Sequence, residues 1–293
     1  MRAAARAARQ GQEAHGMTVT ARILVLLLAC FAAPGAVSAA FANETCFSCH
    51  KKEPRFTTNV HAAVADCSVC HGAGKKHVRA PKKFKDIEVF KDTKHRAAAY
   101  NAVCLSCHED NRRMMFWQGS AHARNDVACV DCHTVHTAGR DRAIQPKKCY
   151  DCHKSVRRDM GKPYHHPVNE EQMGCTSCHA VHGSLTKGML TADSTNELCY
   201  VCHTDKRGPF RFAHPPVEEN CLNCHTVHGS RHARLLTERE RNLCQNCHSY
   251  ASHSSPGSLT GDPDSSGGAF TRRASCLTCH GDVHGSNTSS NFR

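Results

Sequence analysis

Apolar side chains are scarce in this 293-residue sequence. The 251 residues from Asn43 to the C-terminus contain only 37 Leu, Ile, Val and Phe, about 15%, whereas disorder becomes common below about 20%. So few apolar groups cannot offset the conformational entropy that the backbone loses on folding. Either the chain is disordered, or something other than side chains supplies its core.

Long hydrophobic runs are also missing, apart from one near the N-terminus. Residues Ile23 to Ala33 follow Arg22, and small residues occupy Val37 to Ala42. This run is too short to span a bilayer, and its flanks are typical of a secretory signal peptide. We expect residues 1–42 to be a signal peptide, with Met17 as a plausible true start. The alternative is a lipoprotein in which Cys30 is lipidated.

Unpaired cysteines are absent beyond Cys30. The other 20 cysteines form ten Cys-x-x-Cys pairs, and a histidine follows each pair. Disulfides would not explain the histidines, and tetrahedral zinc would not need a histidine directly after the second cysteine ten times. Cys-x-x-Cys-His is the attachment signature of c-type haem.

The spacing of this motif has a chemical reason. Cysteines three apart lie on one face of a helical turn, so both sulfurs can add to vinyl groups along one porphyrin edge. The next residue, histidine, is then carried beneath the ring as the proximal ligand of the iron. The ten motifs predict ten covalently bound haem c groups.

The cysteines and histidines of the motifs are the predicted attachment sites. The covalent sites are Cys46, Cys49, Cys67, Cys70, Cys104, Cys107, Cys129, Cys132, Cys149, Cys152, Cys175, Cys178, Cys199, Cys202, Cys221, Cys224, Cys244, Cys247, Cys276 and Cys279. The proximal iron ligands are His50, His71, His108, His133, His153, His179, His203, His225, His248 and His280.

Ten further histidines follow a regular pattern. Each unit of two consecutive motifs has one of them between the motifs and another after the second motif. They are the predicted distal iron ligands His61, His77, His122, His136, His166, His182, His214, His228, His253 and His284. We prefer His166 to its neighbour His165 because "HHPV" aligns with the later "HPPV" at the histidine before proline. His95 is an alternative to His77, and His232 is expected at the surface.

Paired motifs define an internal repeat. We expect a multihaem domain over residues 43–293, built of five di-haem units at about 43–103, 104–148, 149–198, 199–243 and 244–293. The segments between motifs are short and polar, without strand-like alternation. "TNELCYVCH" and "ERERNLCQNCH" favour short helices leading into motifs. The predicted fold is an elongated multihaem cytochrome c, mostly coil with short α-helices, a haem-filled core and essentially no β-sheet.

The charge pattern does not favour nucleic-acid binding. The formal net charge is +12, but basic residues are spread along the chain. The densest cluster, Lys75 to Arg96, also contains Asp86, Glu88 and Asp92. It is either a solvated loop or a docking face for an acidic partner.

The sequence resembles the MtrA family of decahaem cytochromes, which includes the MtoA, PioA and DmsE types. The stretches that carry the resemblance are "NDVACVDCHTVH", "ELCYVCHTDKRGPF", "HPPVEENCLNCHTVHGS" and "SCLTCHGDVHGSN". The resemblance implies bis-histidine ligation and an exported protein inserted through the outer membrane within a β-barrel porin. Periplasmic cytochromes, and in some systems an extracellular multihaem cytochrome, would be its partners, and the N-terminal haems would face the periplasm.

These residues leave three functions to compare. An iron with histidine on both sides is coordinatively closed, which suits electron transfer rather than substrate binding. A transmembrane electron conduit and a free periplasmic shuttle or storage cytochrome share this chemistry. A multihaem reductase would need an open iron position, which the histidine count disfavours, so we expect an electron-transfer protein rather than an enzyme.

Overall fold

A computed structural model describes residues 38–51, 60–83, 85–136, 145–248 and 275–293. Most of the predicted signal peptide, including Cys30, lies outside these ranges, as does the predicted ligand His253. The signal peptide and the boundaries of the five di-haem units therefore remain predictions. One helix, Ser38–Phe47, runs across the predicted start of the domain at Asn43.

The secondary structure of the described residues consists of short helices joined by turns. The α-helices are α1 Ser38–Phe47, α2 Cys67–His71, α3 Lys75–Arg79, α4 Thr93–His108, α5 Ala121–Arg124, α6 Cys129–Cys132, α7 Gln145–Tyr150, α8 Lys154–Met160, α9 Thr195–Tyr200, α10 Pro215–Glu219 and α11 Glu240–Gln245. Single 3₁₀ turns lie at Val60–Ala63, Arg112–Met114, Cys175–Ser177, Thr204–Lys206, Cys221–Asn223, Ala233–Leu235 and Cys276–Thr278.

Both helices expected from the sequence are present, as α9 and α11. Ser194 caps α9 by accepting a hydrogen bond from the backbone N–H of Glu197, as expected for serine at an N-cap. The longest helix, α4, has 16 residues, and within the described ranges no helix is long and apolar enough to cross a bilayer. Across the same ranges β-structure is limited to isolated bridges. The expectation of short helices without a sheet is confirmed.

The chain divides into two compact units. The first comprises Met1–Val89 with His136–Ala138, and the second comprises Phe90–Val135 with Gly139–Arg293. In the second unit, Tyr100 of α4 is 2% exposed and packs on Ala97 and Ala128. A second small cluster joins Tyr150, Met160 and Val168.

These side-chain clusters are small for the length of the chain. Among the described residues, the buried apolar side chains are Ala97, Tyr100, Trp117, Ala128, Tyr150, Met160 and Val168. Burying a large apolar side chain contributes about 1.5–3 kcal/mol, so this set cannot stabilise so long a chain by itself. The small core agrees with the sequence prediction that bound groups supply most of the interior.

Candidate haem-binding sites

Each motif folds as a single helical turn. The backbone N–H of His133 donates to the carbonyl of Cys129 at 2.9 Å, and His225 donates to Cys221 at 3.0 Å. This bond joins residues four apart, as in an α-helix. It brings the two cysteines and the histidine of a motif into one compact turn, as the spacing predicts.

The histidine rings meet in pairs. Among the described residues, eight pairs have ring centroids 5.9–6.4 Å apart, and each joins a motif histidine to a predicted distal histidine. The pairs are His50–His77, His71–His136, His153–His122, His133–His182, His203–His166, His179–His228, His248–His214 and His225–His284.

The separation of the rings fits a shared iron. A metal–imidazole bond is about 2 Å long, and the ring centroid lies about 1 Å further out, so two rings on opposite sides of one metal stand about 6 Å apart. The same separation falls within the range of about 4.5–7 Å for ordinary contacts between aromatic rings, so the donor set rather than the distance identifies these sites. The donor set also fits haem c, because each pair includes the histidine of a Cys-x-x-Cys-His turn.

Most of these pairs join different predicted di-haem units. His122 belongs to the second predicted unit and His153 to the third, while His133 of the second meets His182 of the third. The same exchange recurs between the third and fourth units and between the fourth and fifth. Only His50–His77 lies within one predicted unit. From the second predicted unit to the fifth, each unit therefore supplies a proximal and a distal histidine to pairs with the next one.

Hydrogen bonds fix which nitrogen of several rings remains for a metal. The Nδ1 atom of His122 lies 2.8 Å from the carbonyl oxygen of Val181, and His166 and His214 make the same contact with Val227 and Val283. A ring that donates Nδ1–H to a carbonyl presents its neutral Nε2 to the iron. The motif histidines His71, His179, His225 and His280 bond in the same way to the carbonyls of Glu88, Gly188, Arg234 and Asn291.

Burial favours the neutral form of several of these histidines. It lowers the pKa of His133 and His182, which form one pair, and neighbouring histidines lower it further. Burial also lowers the pKa of His228, with His179 adding to the shift, and that of His284, with Lys206 and then His225 adding to it. Neutral imidazole is the form that binds a metal, so the surroundings of these rings suit ligation.

Cysteine thiols connect the two motifs of each predicted unit. The first cysteines of the two motifs influence each other's pKa in the pairs Cys46–Cys67, Cys104–Cys129, Cys149–Cys175, Cys199–Cys221 and Cys244–Cys276. Burial, with Cys46 adding to it, raises the pKa of Cys67 to about 11. All 20 of these cysteines are free thiols rather than disulfides. Haem attachment would convert them to thioethers, which do not titrate.

The second cysteines connect one predicted unit to the next. Burial raises the pKa of Cys132, Cys178 and Cys224. The second cysteine of the following motif adds to each shift, in the pairs Cys132–Cys152, Cys178–Cys202 and Cys224–Cys247. In the second compact unit, the motifs from Cys104 to Cys276 therefore form one unbroken series of neighbours.

Two equivalent backbone bridges hold consecutive predicted units together. Tyr164, two residues before His166, pairs antiparallel with Ser230, two residues after His228. Phe212 and Ser286 make the same bridge around His214 and His284, with N–H···O distances of 2.9 Å in both directions. Each bridge aligns the segments that carry two distal histidines.

Glycine follows the distal histidine at these joints for a steric reason. Gly183 has φ of +114°, and a Cβ on it would overlap the carbonyl oxygen of Phe116. A Cβ on Gly229 would overlap the carbonyl oxygen of Asp159, and one on Gly285 would overlap the ring of Phe210. The repeated Val-His-Gly sequence therefore marks places where two backbone segments approach closely.

Three remaining histidines have other roles. The Nδ1 atom of His95 bonds to Asp92 at 2.8 Å with a side chain that is 81% exposed, and His77 rather than His95 faces His50. His165 uses both ring nitrogens, on the carbonyl of Lys162 and on Glu170. His232 is half-buried rather than at the surface, and the eight ring pairs do not include it.

A repeated asparagine was missed by the sequence reasoning. Asn101, three residues before Cys104, accepts from the N–H of Cys129 at 2.8 Å and donates to the carbonyl of Val127. Asn43 and Asn196, each three residues before the first cysteine of a unit, accept from the N–H of Cys67 and of Cys221. The signal was present as Asn-x-x-Cys-x-x-Cys-His, at three of the five first motifs.

Trp117 supports one of the ring pairs. It is 6% exposed, and its ring meets that of His182 edge-on, with centroids 6.2 Å apart. The iron-binding roles predicted for His61, His108 and His280 rest on the sequence, and the predicted ligand His253 lies outside the described ranges. These four assignments remain predictions.

Comparison with known proteins places the chain among multihaem cytochromes. Residues 165–208 and 214–253 match the doubled CXXCH motif family, and residues 67–144 match the family of NrfB-like cytochrome c-type proteins. The cytochrome c-type protein NrfB of Escherichia coli O6:H1 is 28% identical over 145 residues, which are 44% of this chain and 76% of that protein.

A second relative covers most of the chain. The multiheme cytochrome MtrA of Shewanella baltica (strain OS185) is 40% identical over 268 residues, which are 83% of this chain and 78% of that protein. The chain therefore belongs to the MtrA family of multihaem c-type cytochromes.

Proposed function

We propose that the chain carries electrons through ten bis-histidine haem c groups across the outer membrane, between periplasmic carriers and extracellular donors or acceptors such as iron. The observation that carries this proposal is the set of eight imidazole pairs with centroids 5.9–6.4 Å apart. Each pair would hold one haem, attached through the cysteines of the motif that supplies the proximal histidine.

The protein contributes rigid, closed coordination. When bound, haem supplies a reversible one-electron couple of its iron. An iron held by two imidazoles has no open position for a substrate. In six of the eight pairs a hydrogen bond at Nδ1 fixes the orientation of one ring, which limits rearrangement between oxidation states. This ligand set favours an electron-transfer protein over a reductase.

The order of the motifs supports conduction along the chain. From Cys104 to Cys276, consecutive motifs of the chain are neighbours. First cysteines are neighbours within a predicted unit, and second cysteines are neighbours between one unit and the next, so the haem attachment points form a continuous series. Similarity to MtrA supports a place in an outer-membrane conduit with a porin partner. The alternative is a free periplasmic shuttle, which would use the same sites without a porin.

Two measurements test this proposal. The intact mass of the secreted protein should exceed that of the polypeptide by ten haem masses, and a smaller excess would leave a motif unused. The ferric protein should show only low-spin iron by paramagnetic resonance. A stoichiometric high-spin signal would indicate an open iron position and favour the reductase.

Labelling tests the membrane arrangement. Lys82 and Ser290 are both exposed, near the first and last motifs. With single cysteines placed at these positions in intact cells, we expect Ser290→Cys to react with an impermeant reagent, and Lys82→Cys to react only after the outer membrane is opened. Protection of both sites would favour the periplasmic shuttle, and the reverse pattern would invert the conduit.

A further inference from the structure

We propose that an exposed basic surface in the first compact unit is the docking site for a soluble, acidic, one-electron carrier protein. We call it the basic face, and it consists of Lys75, Lys76, Arg79, Lys82, Lys83 and Lys85, all of which are exposed. The inference rests on the proposed function, because it assigns the surface at which electrons are exchanged with a protein partner.

The charge of the basic face is only partly balanced. The two acidic residues in the same segment are Asp86 and Glu88. The carboxylate of Asp86 accepts hydrogen bonds from the backbone N–H groups of Lys76, at 3.0 Å, and His77, at 2.6 Å. These bonds hold the segment around Asp86 against α3. The second acidic residue, Glu88, is half-buried. Six exposed cations and two carboxylates give this segment a net positive charge, which would attract a negatively charged partner.

The basic face is directly connected to two imidazole pairs. His77 lies within α3, between Lys76 and Arg79, and faces His50. The loop returns so that the carbonyl of Glu88 lies 2.7 Å from Nδ1 of His71, the ring that meets His136. A partner seated on this surface would contact the segment that carries one predicted iron ligand and orients another.

Exposed apolar side chains lie among these charges. Val69 of the second motif, Val78 beside His77, and Val89 at the end of the loop are 55%, 53% and 41% exposed. Protein interfaces combine a small apolar centre with a polar, charged rim. Charged rims raise the rate of encounter, and the apolar centre allows close approach. This combination beside two iron sites favours a redox protein over an anionic lipid surface.

Charge reversal tests the proposal in the full-length holoprotein. The basic-face variant carries three substitutions, Lys75→Glu/Lys82→Glu/Lys85→Glu. The control carries the same change of charge at three exposed lysines of the second unit, Lys147→Glu/Lys154→Glu/Lys187→Glu. Stopped-flow absorbance follows the reaction of each ferric protein with reduced flavodoxin, an acidic carrier. Reduced methyl viologen, a small cation, is the second donor.

Steering by several charges changes association rates by about 10-fold to 1,000-fold at low ionic strength. We expect the basic-face variant to react with flavodoxin at least about tenfold more slowly than the control at low salt, with a flatter salt dependence. The methyl viologen rate should not fall. Unchanged haem content and low-spin spectra would show that the fold and the ligands are intact.

Other outcomes separate the two proposals. Wild-type protein that takes no electrons from either donor would overturn the proposed electron-transfer function. Wild-type protein that reacts normally, with equal flavodoxin rates in the two variants, would overturn the docking site alone. Loss of sedimentation with phosphatidylglycerol vesicles in the basic-face variant, without any change in the flavodoxin rate, would assign the surface to membrane lipid instead.

Discussion

His122 and His153 lie on neighbouring predicted units, and their imidazole centroids are 6.2 Å apart with ring planes at 71°. In the His225–His284 pair the planes differ by only 11°. The angle between two axial imidazoles sets how the d orbitals of a low-spin iron are split. Nearly perpendicular rings leave two of these orbitals close in energy, and nearly parallel rings separate them.

We therefore expect two classes of low-spin signal in the ferric holoprotein. The His122–His153 pair, and the His166–His203 pair at 58°, should give strongly anisotropic paramagnetic resonance signals. Pairs such as His225–His284 should give ordinary rhombic spectra. A spectrum of one rhombic class would contradict the ring orientations described here.

Replacing one distal histidine should affect one iron. His122→Met should remove about one iron's worth of the strongly anisotropic signal and introduce the near-infrared band of a methionine–iron bond. His95→Met is the control, because His95 is exposed and bonds to Asp92. Loss of signal from several irons in His122→Met would mean that the histidine serves the fold rather than one site.

The two adjacent histidines at His165 and His166 should behave differently. His166→Gln should produce a high-spin iron, because the ring opposite His203 is lost. His165→Gln removes hydrogen bonds to Lys162 and Glu170 and should leave the low-spin spectrum unchanged. Optical and paramagnetic resonance spectra of the two ferric variants provide the comparison. A high-spin signal in His165→Gln alone would reverse the assignment.

A methyl group at Gly229 should disturb the joint that holds His228. Its Cβ would overlap the carbonyl oxygen of Asp159, and overpacking of this kind typically costs about 1–3 kcal/mol. We expect Gly229→Ala to lower the denaturation midpoint and to loosen the His179–His228 site, measured by chemical unfolding and by the high-spin fraction. Gly281→Ala is the matched control, since Gly281 follows His280 and nothing lies within 4 Å of its added Cβ. Equal effects of the two variants would contradict the close approach at Gly229.

Asn101 should stabilise the packing of two motif turns. Its buried side-chain amide accepts a hydrogen bond from the backbone N–H of Cys129 and donates one to the carbonyl of Val127. Removal of this amide would leave two backbone groups without their partner, at a cost of about 1–3 kcal/mol. Asn101→Ala should lower the denaturation midpoint of the holoprotein while all irons remain low-spin. Asn246→Ala changes an exposed amide and serves as the control. A high-spin signal in Asn101→Ala would mean that the amide also positions a ligand.

Local sequence was sufficient to predict the attachment chemistry. Cys-x-x-Cys-His fits within one helical turn, so its function depends on residues close in the chain. The shortage of apolar residues likewise predicted that side chains alone would not supply the core, because this follows from composition. The preference for His166 over His165 came from a local alignment with His214, and the ring positions agree with it.

Only the tertiary structure decided which histidines face each other. The sequence supplied a set of distal histidines, but His153 meets His122 and His133 meets His182 across unit boundaries. Such pairing depends on long-range contacts, including the Tyr164–Ser230 bridge and the close approach of Gly229 to Asp159. The Val-His-Gly sequence marks one side of such a joint but does not identify the other side, because the two sides lie about 60 residues apart in the chain, as between His166 and Val227. The repeat itself imposes the pattern, since each unit binds its neighbour through the same few backbone positions.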